Sequence, residues 1–163
     1  MKNIFVILLI FVSTLTYSQG ITTFILVRHA EKASDGTSDP GLTEAGEARA
    51  GKILSLFQQA DITAIYSTNY KRTKMTVLPL SKAKKIAIKI YNSRKLKEFS
   101  QMLLTDNNGG TVVISGHSNT TPMLANLLLG EEKLKPYAES DYGNLLIITT
   151  SNGGEAKLLH LRY

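Results

Sequence analysis

Two histidines in this chain stand where a nucleophile and a partner can work on a bound anion. His29 follows Arg28 at the end of the apolar run Phe24-Ile25-Leu26-Val27, and His117 follows Gly116 at the end of Thr111-Val112-Val113-Ile114-Ser115. Apolar strand composition giving way to polar residues suits a sheet crevice, because open α/β sheets bind ligands beyond the carboxyl ends of their strands. A third run, ending in Tyr66-Ser67-Thr68-Asn69, leads into Tyr70-Lys71-Arg72-Thr73 and sets an arginine just inside a helix. A guanidinium grips phosphate oxygens bidentately, and a neutral imidazole is available near pH 7. Arg28, His29, Arg72 and His117 therefore point to phosphoryl transfer, with helix amino termini at Tyr70 and Thr121 as further N–H donors. His160, with no charged motif around it, reads as a packed or surface histidine.

The elements that must bring these residues together alternate along the chain, which predicts an α/β domain with a mainly parallel sheet. Ile21–Val27 is the first expected strand. Thr43 can cap a helix with Glu44 and Glu47 in its first turn, and Ala45, Ala48, Ile53, Leu56, Phe57 and Ala60 give that helix one apolar face. Ile62–Tyr66 is a second strand. A helix from Tyr70 to about Lys82 is expected to be interrupted or kinked near Pro79, and Ile86–Tyr91 is the next strand. Leu96, Phe99 and Leu103 mark a helix that stops before Asn107-Asn108-Gly109-Gly110. After the Thr111–Ser115 strand, Thr121-Pro122 starts a helix and Gly130 stops it. Gly143–Thr150 and Glu155–Arg162 flank Asn152-Gly153-Gly154 as a hairpin. No internal repeat, low-complexity linker or second domain is evident.

The amino terminus reads as a signal to be removed. Lys2 is followed by the apolar run Ile4 to Val12, and Thr16-Tyr17-Ser18 offers small residues at the −3 and −1 positions of a cleavage site before Gln19. The run is short for a membrane span, which needs roughly 20 residues. Residues 1–18 as signal peptide and 19–163 as a single domain are the expected organisation. The expected location is exported from a bacterium, periplasmic or secreted, with no stable membrane span after cleavage. The formal net charge of +6 contains no block of five or six basic residues, so a nucleic-acid arm is not indicated. The excess reads as a solvated lysine-rich surface that favours anionic substrates by long-range steering. With no cysteine in the chain, disulfides, thiol chemistry, Cys-ligated metals and a lipobox anchor are excluded.

Arg28-His29-Ala30-Glu31, Leu42-Thr43-Glu44-Ala45-Gly46, Tyr66-Ser67 with Arg72-Thr73, and Gly116-His117-Ser118-Asn119-Thr120 occur in this order between about Thr22 and Ile148. Taken together they resemble the histidine phosphatase superfamily, also called phosphoglycerate-mutase-like. The resemblance implies a three-layer α/β/α sandwich with a mainly parallel mixed sheet. It implies that His29 is the nucleophile that becomes phosphohistidine, and that Arg28, Arg72 and His117 bind the phosphoryl group. Hydrolysis by water would complete a two-step covalent route. Two guanidiniums and a second imidazole neutralise the equatorial oxygens without a metal or other cofactor.

The general acid is left open. Glu98 fits a Leu-x-Glu spelling of the mutase-like branch, but falls on the face of a helix where a solvated charge is expected. Asp35, Asp39 and Asp141 are loop carboxylates that the spacing does not separate. In the acid-phosphatase branch an aspartate follows the second histidine; here that residue is Ser118. A missing acid favours good leaving groups. The short chain lacks capping insertions, and in size it resembles compact members that act on phosphohistidine in proteins. The expected activity is a metal-independent phosphatase acting on phosphorylated small molecules or proteins. The alternatives are a non-catalytic anion- or partner-binding module and, with less support, a phosphomutase. A zinc site lacks the ligand spacing of common zinc motifs.

Overall fold

The computed structural model describes residues 20–151 and 154–163. The segment read as an export signal, residues 1–18, lies outside the described residues, as do Asn152 and Gly153 of the expected hairpin turn.

Among the described residues six strands form one sheet: β1 (Thr22–Arg28), β2 (Ala64–Ser67), β3 (Ile88–Ile90), β4 (Thr111–Gly116), β5 (Asn144–Thr150) and β6 (Lys157–Arg162). Their order is β3-β2-β4-β1-β5-β6. β3, β2, β4 and β1 run parallel, whereas β5 and β6 are antiparallel to their neighbours. The helices of the described residues, α1 (Glu44–Phe57), α2 (Lys71–Lys84), α3 (Leu96–Asp106) and α4 (Thr120–Leu129), fall between the strands. This is the expected mixed α/β fold.

The layers follow from the period of two along β1. Ile25 and Val27 join a buried cluster with Ile53 and Phe57 of α1 and Val77 and Leu80 of α2. Phe24 and Leu26 point the other way, into a cluster with Phe99 and Leu103 of α3 and Leu124 and Leu128 of α4. Burial on both faces explains why β1 is a continuous apolar run rather than an alternating one.

Most boundaries move by a residue or two. Thr43 caps α1 by accepting from the Gly46 N–H at 3.1 Å. Helix α4 begins at Thr120, where the Asn119 side chain accepts from the Thr120 N–H at 2.9 Å. The interruption expected at Pro79 does not occur: α2 runs through it to Lys84. Pro79 cannot donate to the preceding turn, but fully buried Val77 and Leu80 on either side hold the helix against the sheet. Strand β3 is shorter than the Ile86–Tyr91 pattern, because this edge strand pairs only with β2, over three residues. Among the described residues no helix is long and apolar enough to cross a membrane.

Candidate active site

Strand register brings the two histidines together. β1 and β4 are parallel, with Arg28 opposite Gly116, and the His29 N–H donates to the Gly116 carbonyl at 2.9 Å. Both chains therefore leave the sheet at one level, with the imidazole centroids 5.5 Å apart and the rings inclined at 70°. β2 ends level with them, Ser67 opposite Ser115, and delivers Thr68 and the start of α2. Gly116 fits this crossing because a Cβ there would lie 2.8 Å from Thr121 Oγ1 and 2.9 Å from the Tyr91 hydroxyl.

These strand ends form the floor of an open cleft of about 310 Å³, into which His29, His117, Arg72, Lys32, Tyr70, Ser118 and Glu139 project. His29 Nδ1 is 2.8 Å from the Ala30 carbonyl. That oxygen can only accept, so Nδ1 carries the proton and Nε2 keeps its lone pair. Burial, helped by the positive charge of Arg28, lowers the His29 pKa from 6.5 to about 4, against the opposing pull of the Ala30 hydrogen bond. The imidazole is neutral across the physiological range.

The tautomer of His117 is fixed by a chain of hydroxyls. Thr73 Oγ1 donates towards the Tyr70 and Thr68 carbonyls at 2.9 and 3.0 Å. Its proton is thereby committed, so the Thr68 hydroxyl donates to Thr73 at 2.9 Å and accepts from His117 Nε2 at 3.0 Å. Neutral His117 is thus protonated on Nε2, with Nδ1 bare. Burial, then the charges of Arg72 and Arg28, lowers its pKa to about 4 as well.

The two arginines part company. Arg28 is fully buried and turned to the loop before β5. Its Nη1 donates to the Ala138 and Asp141 carbonyls at 2.7 and 2.9 Å, and its Nη2 to the Glu139 carbonyl at 2.9 Å. Its guanidinium also stacks 4.2 Å from the Tyr142 ring centroid. Arg28 does not line the cleft, although its charge reaches both histidines. Arg72 does line it. Its Nη1 is 3.6 Å from Asp39 Oδ1 and its guanidinium 4.4 Å from the Tyr70 ring centroid. The Nε of each arginine is buried without a hydrogen-bond partner.

At the two expected helix starts the Lys71 N–H donates to Asp39 at 2.9 Å, the Thr120 N–H to the Asn119 side chain and the Thr121 N–H to the His117 carbonyl at 3.0 Å. None of the carboxylates considered from the sequence lines the cleft. Glu98 lies exposed on α3, 3.4 Å from Lys95. Asp35 accepts from Thr37, and Asp141 pairs with Arg162 at 2.8 Å. The carboxylate that does line it among the described residues, Glu139, was not foreseen. The signal for it was topological: β5 is antiparallel to β1, so the loop before β5 must arrive at the end of the sheet that carries the histidines. Among the described residues no three His, Asp or Glu side chains converge as a metal cluster.

The histidine phosphatase superfamily (branch 1) pattern matches residues 24–102, the stretch holding Arg28, His29 and Arg72. Over those residues the chain is similar to the histidine phosphatase superfamily. Several solved structures share the fold of this chain. The protein histidine phosphatase SixA, complexed with tungstate, is 14% identical with a TM-score of 0.66, over 86% of this chain and 96% of that one. A mycobacterial glucosyl-3-phosphoglycerate phosphatase is 10% identical with a TM-score of 0.67, over 88% and 98%. A phosphoserine phosphatase from Entamoeba histolytica in complex with 3-phosphoglyceric acid is 16% identical with a TM-score of 0.63, over 87% and 97%. No curated protein matches the chain significantly by sequence.

Proposed function

We propose that the protein is a phosphatase that hydrolyses phosphorylated substrates without a metal ion, through a phosphohistidine on His29. The observation that carries this reading is the Ala30 carbonyl on His29 Nδ1, which leaves a neutral Nε2 lone pair beside Arg72, Lys32 and His117. Nε2 attacks phosphorus in line as the bond to the leaving group breaks, and water then releases phosphate. Arg72 and Lys32 neutralise the phosphoryl oxygens. Arg28 contributes its charge from behind while holding the loop. His117 adds a second N–H donor on taking a proton at Nδ1 as the anion arrives.

With Glu98 outside the cleft, the substrates that fit are those whose leaving group departs without help from a proton donor. Activated aryl esters meet that condition, and so does phosphohistidine, whose imidazole leaves as a neutral ring once its other nitrogen carries a proton from solvent. The likeness to SixA supports a phosphorylated protein as substrate, and so does an open cleft that admits a phosphoryl group on a large carrier. Export of the domain, cleaved after Ser18, belongs to the same proposal and rests on the signal-like residues 1–18; the mass of the protein recovered from the periplasm or medium checks it.

The test is phosphate release from p-nitrophenyl phosphate and phosphohistidine peptides in the presence of a chelator. Chelator-resistant turnover that His29→Ala abolishes is the expected result. Absence of turnover on every substrate, with phosphate still bound, would instead identify a non-catalytic anion-binding module.

A further inference from the structure

Glu139 is a negative group at the mouth of an anion site, where it repels the incoming phosphoryl group. Its position is nonetheless built. The Ser118 hydroxyl donates to Oε1 at 2.9 Å, and Oε2 lies 3.4 Å from Arg28 Nη2 and 3.7 Å from Lys32 Nζ. The loop beneath is fixed by Arg28 and by the Tyr137 N–H donating to the Ser118 carbonyl at 2.9 Å. The side chain stays 72% exposed, so water reaches it.

The groups around this carboxylate set the direction in which it can move a proton. Ser118, Arg28 and Lys32 are donors or cations, and the Ser118 hydrogen bond foremost holds its pKa below the usual carboxylate range. A carboxylate kept ionised is suited to accept a proton rather than to supply one. Of the other carboxylates, Glu98, Asp35 and Asp141 are engaged elsewhere, and Asp39 is held by the Lys71 N–H and Arg72 at the cleft edge.

We propose that Glu139 is the base of the second half-reaction, taking a proton from the water that hydrolyses the phosphohistidine on His29. This rests on the phosphatase reading above. The water oxygen bonds to phosphorus while the P–Nε2 bond breaks, and that electron pair returns to Nε2. One water proton passes to the Glu139 carboxylate, which releases it to solvent after inorganic phosphate leaves. The first half-reaction takes no proton from Glu139.

Rapid mixing of p-nitrophenyl phosphate with wild type, Glu139→Gln and His29→Ala separates the half-reactions, with phosphoprotein trapped in alkali and weighed by mass spectrometry. Glu139→Gln is expected to release its first nitrophenol no more slowly than wild type, since the charge that repels the substrate is gone. It then turns over about 10²-fold more slowly, with the phosphoryl group accumulating on His29. Ser118→Ala, which keeps the carboxylate but frees it, slows the same step by a smaller factor. A Gln variant that matches wild type in steady state, or one whose first turnover slows in step with the rest, overturns the assignment while leaving the phosphatase reading intact. A wild type with neither turnover nor phosphohistidine overturns both.

Discussion

Arg28, at the end of β1, and Arg72, in the first turn of α2, are cations beside the same two histidines, yet they are held differently. Both terminal nitrogens of Arg28 are bound to backbone carbonyls of one loop, and Tyr142 closes over its face. Arg72 touches Asp39 at 3.6 Å and lies over Tyr70, with its side chain 15% exposed at the cleft. A guanidinium whose nitrogens end on carbonyls is committed to architecture. One that meets only a half-exposed carboxylate and an aromatic face can turn to a ligand. Residue type alone does not separate a frame from a grip; the acceptors around it do.

Removing each arginine should break the comparison in opposite directions. Arg28→Ala leaves three carbonyls of the 138–141 loop without their donor, and hydrogen bonds to a charged group are worth about 1.5–3 kcal/mol each. Those carbonyls partly rehydrate, so a net loss of about 3 kcal/mol in urea unfolding is expected, together with loss of turnover as Glu139 is displaced. Arg72→Ala should lower kcat/KM by about 10²–10³-fold, the usual effect of losing one transition-state donor, with the unfolding midpoint unchanged. If Arg72→Ala unfolds the protein and Arg28→Ala does not, the assignment is reversed.

Acid should sharpen the contrast, because both histidines sit near these charges. Each has a folded pKa of about 4 against an ordinary 6.5, so between those values the unfolded chain binds more protons. Stability is therefore complete above about pH 6.5 and declines as the pH falls towards 4. A shift of that size corresponds to about 3 kcal/mol for buried His29. Urea midpoints measured from pH 7 to 4 check this, and His29→Gln should flatten the decline. Smaller again, Asp39→Asn removes the partner of Arg72 and should tighten phosphate binding a few-fold, read by calorimetry. Glu98→Gln, on an exposed face remote from both arginines, should leave turnover within twofold of wild type.

The histidines, the strands that end on them and the two helix starts were legible because each depends on a local pattern. Thr43 caps the helix it was expected to cap, and the apolar run at Phe24–Val27 is a strand buried on both faces. Pro79 misled, since its cost to a helix is local while the burial of Val77 and Leu80 that offsets it is tertiary. Glu98 had the right neighbours in sequence and the wrong face in space. Glu139 was invisible for a different reason. Its loop has no periodicity, and what places it is a contact with Arg28 across more than a hundred residues, made largely through backbone carbonyls that have no sequence signature.

One consequence of the sheet order concerns how the chain reaches this state. The first strand of the described residues is a central strand in space, and its partners β4 and β5 are among the last to be made. Loop closure must come before any reward from these long-range pairings, which slows folding relative to a helical protein of this size. Until residues 111–150 are available, Phe24-Ile25-Leu26-Val27 has neither sheet neighbour. During that interval this uncharged, strand-prone run is open to mispairing with other chains.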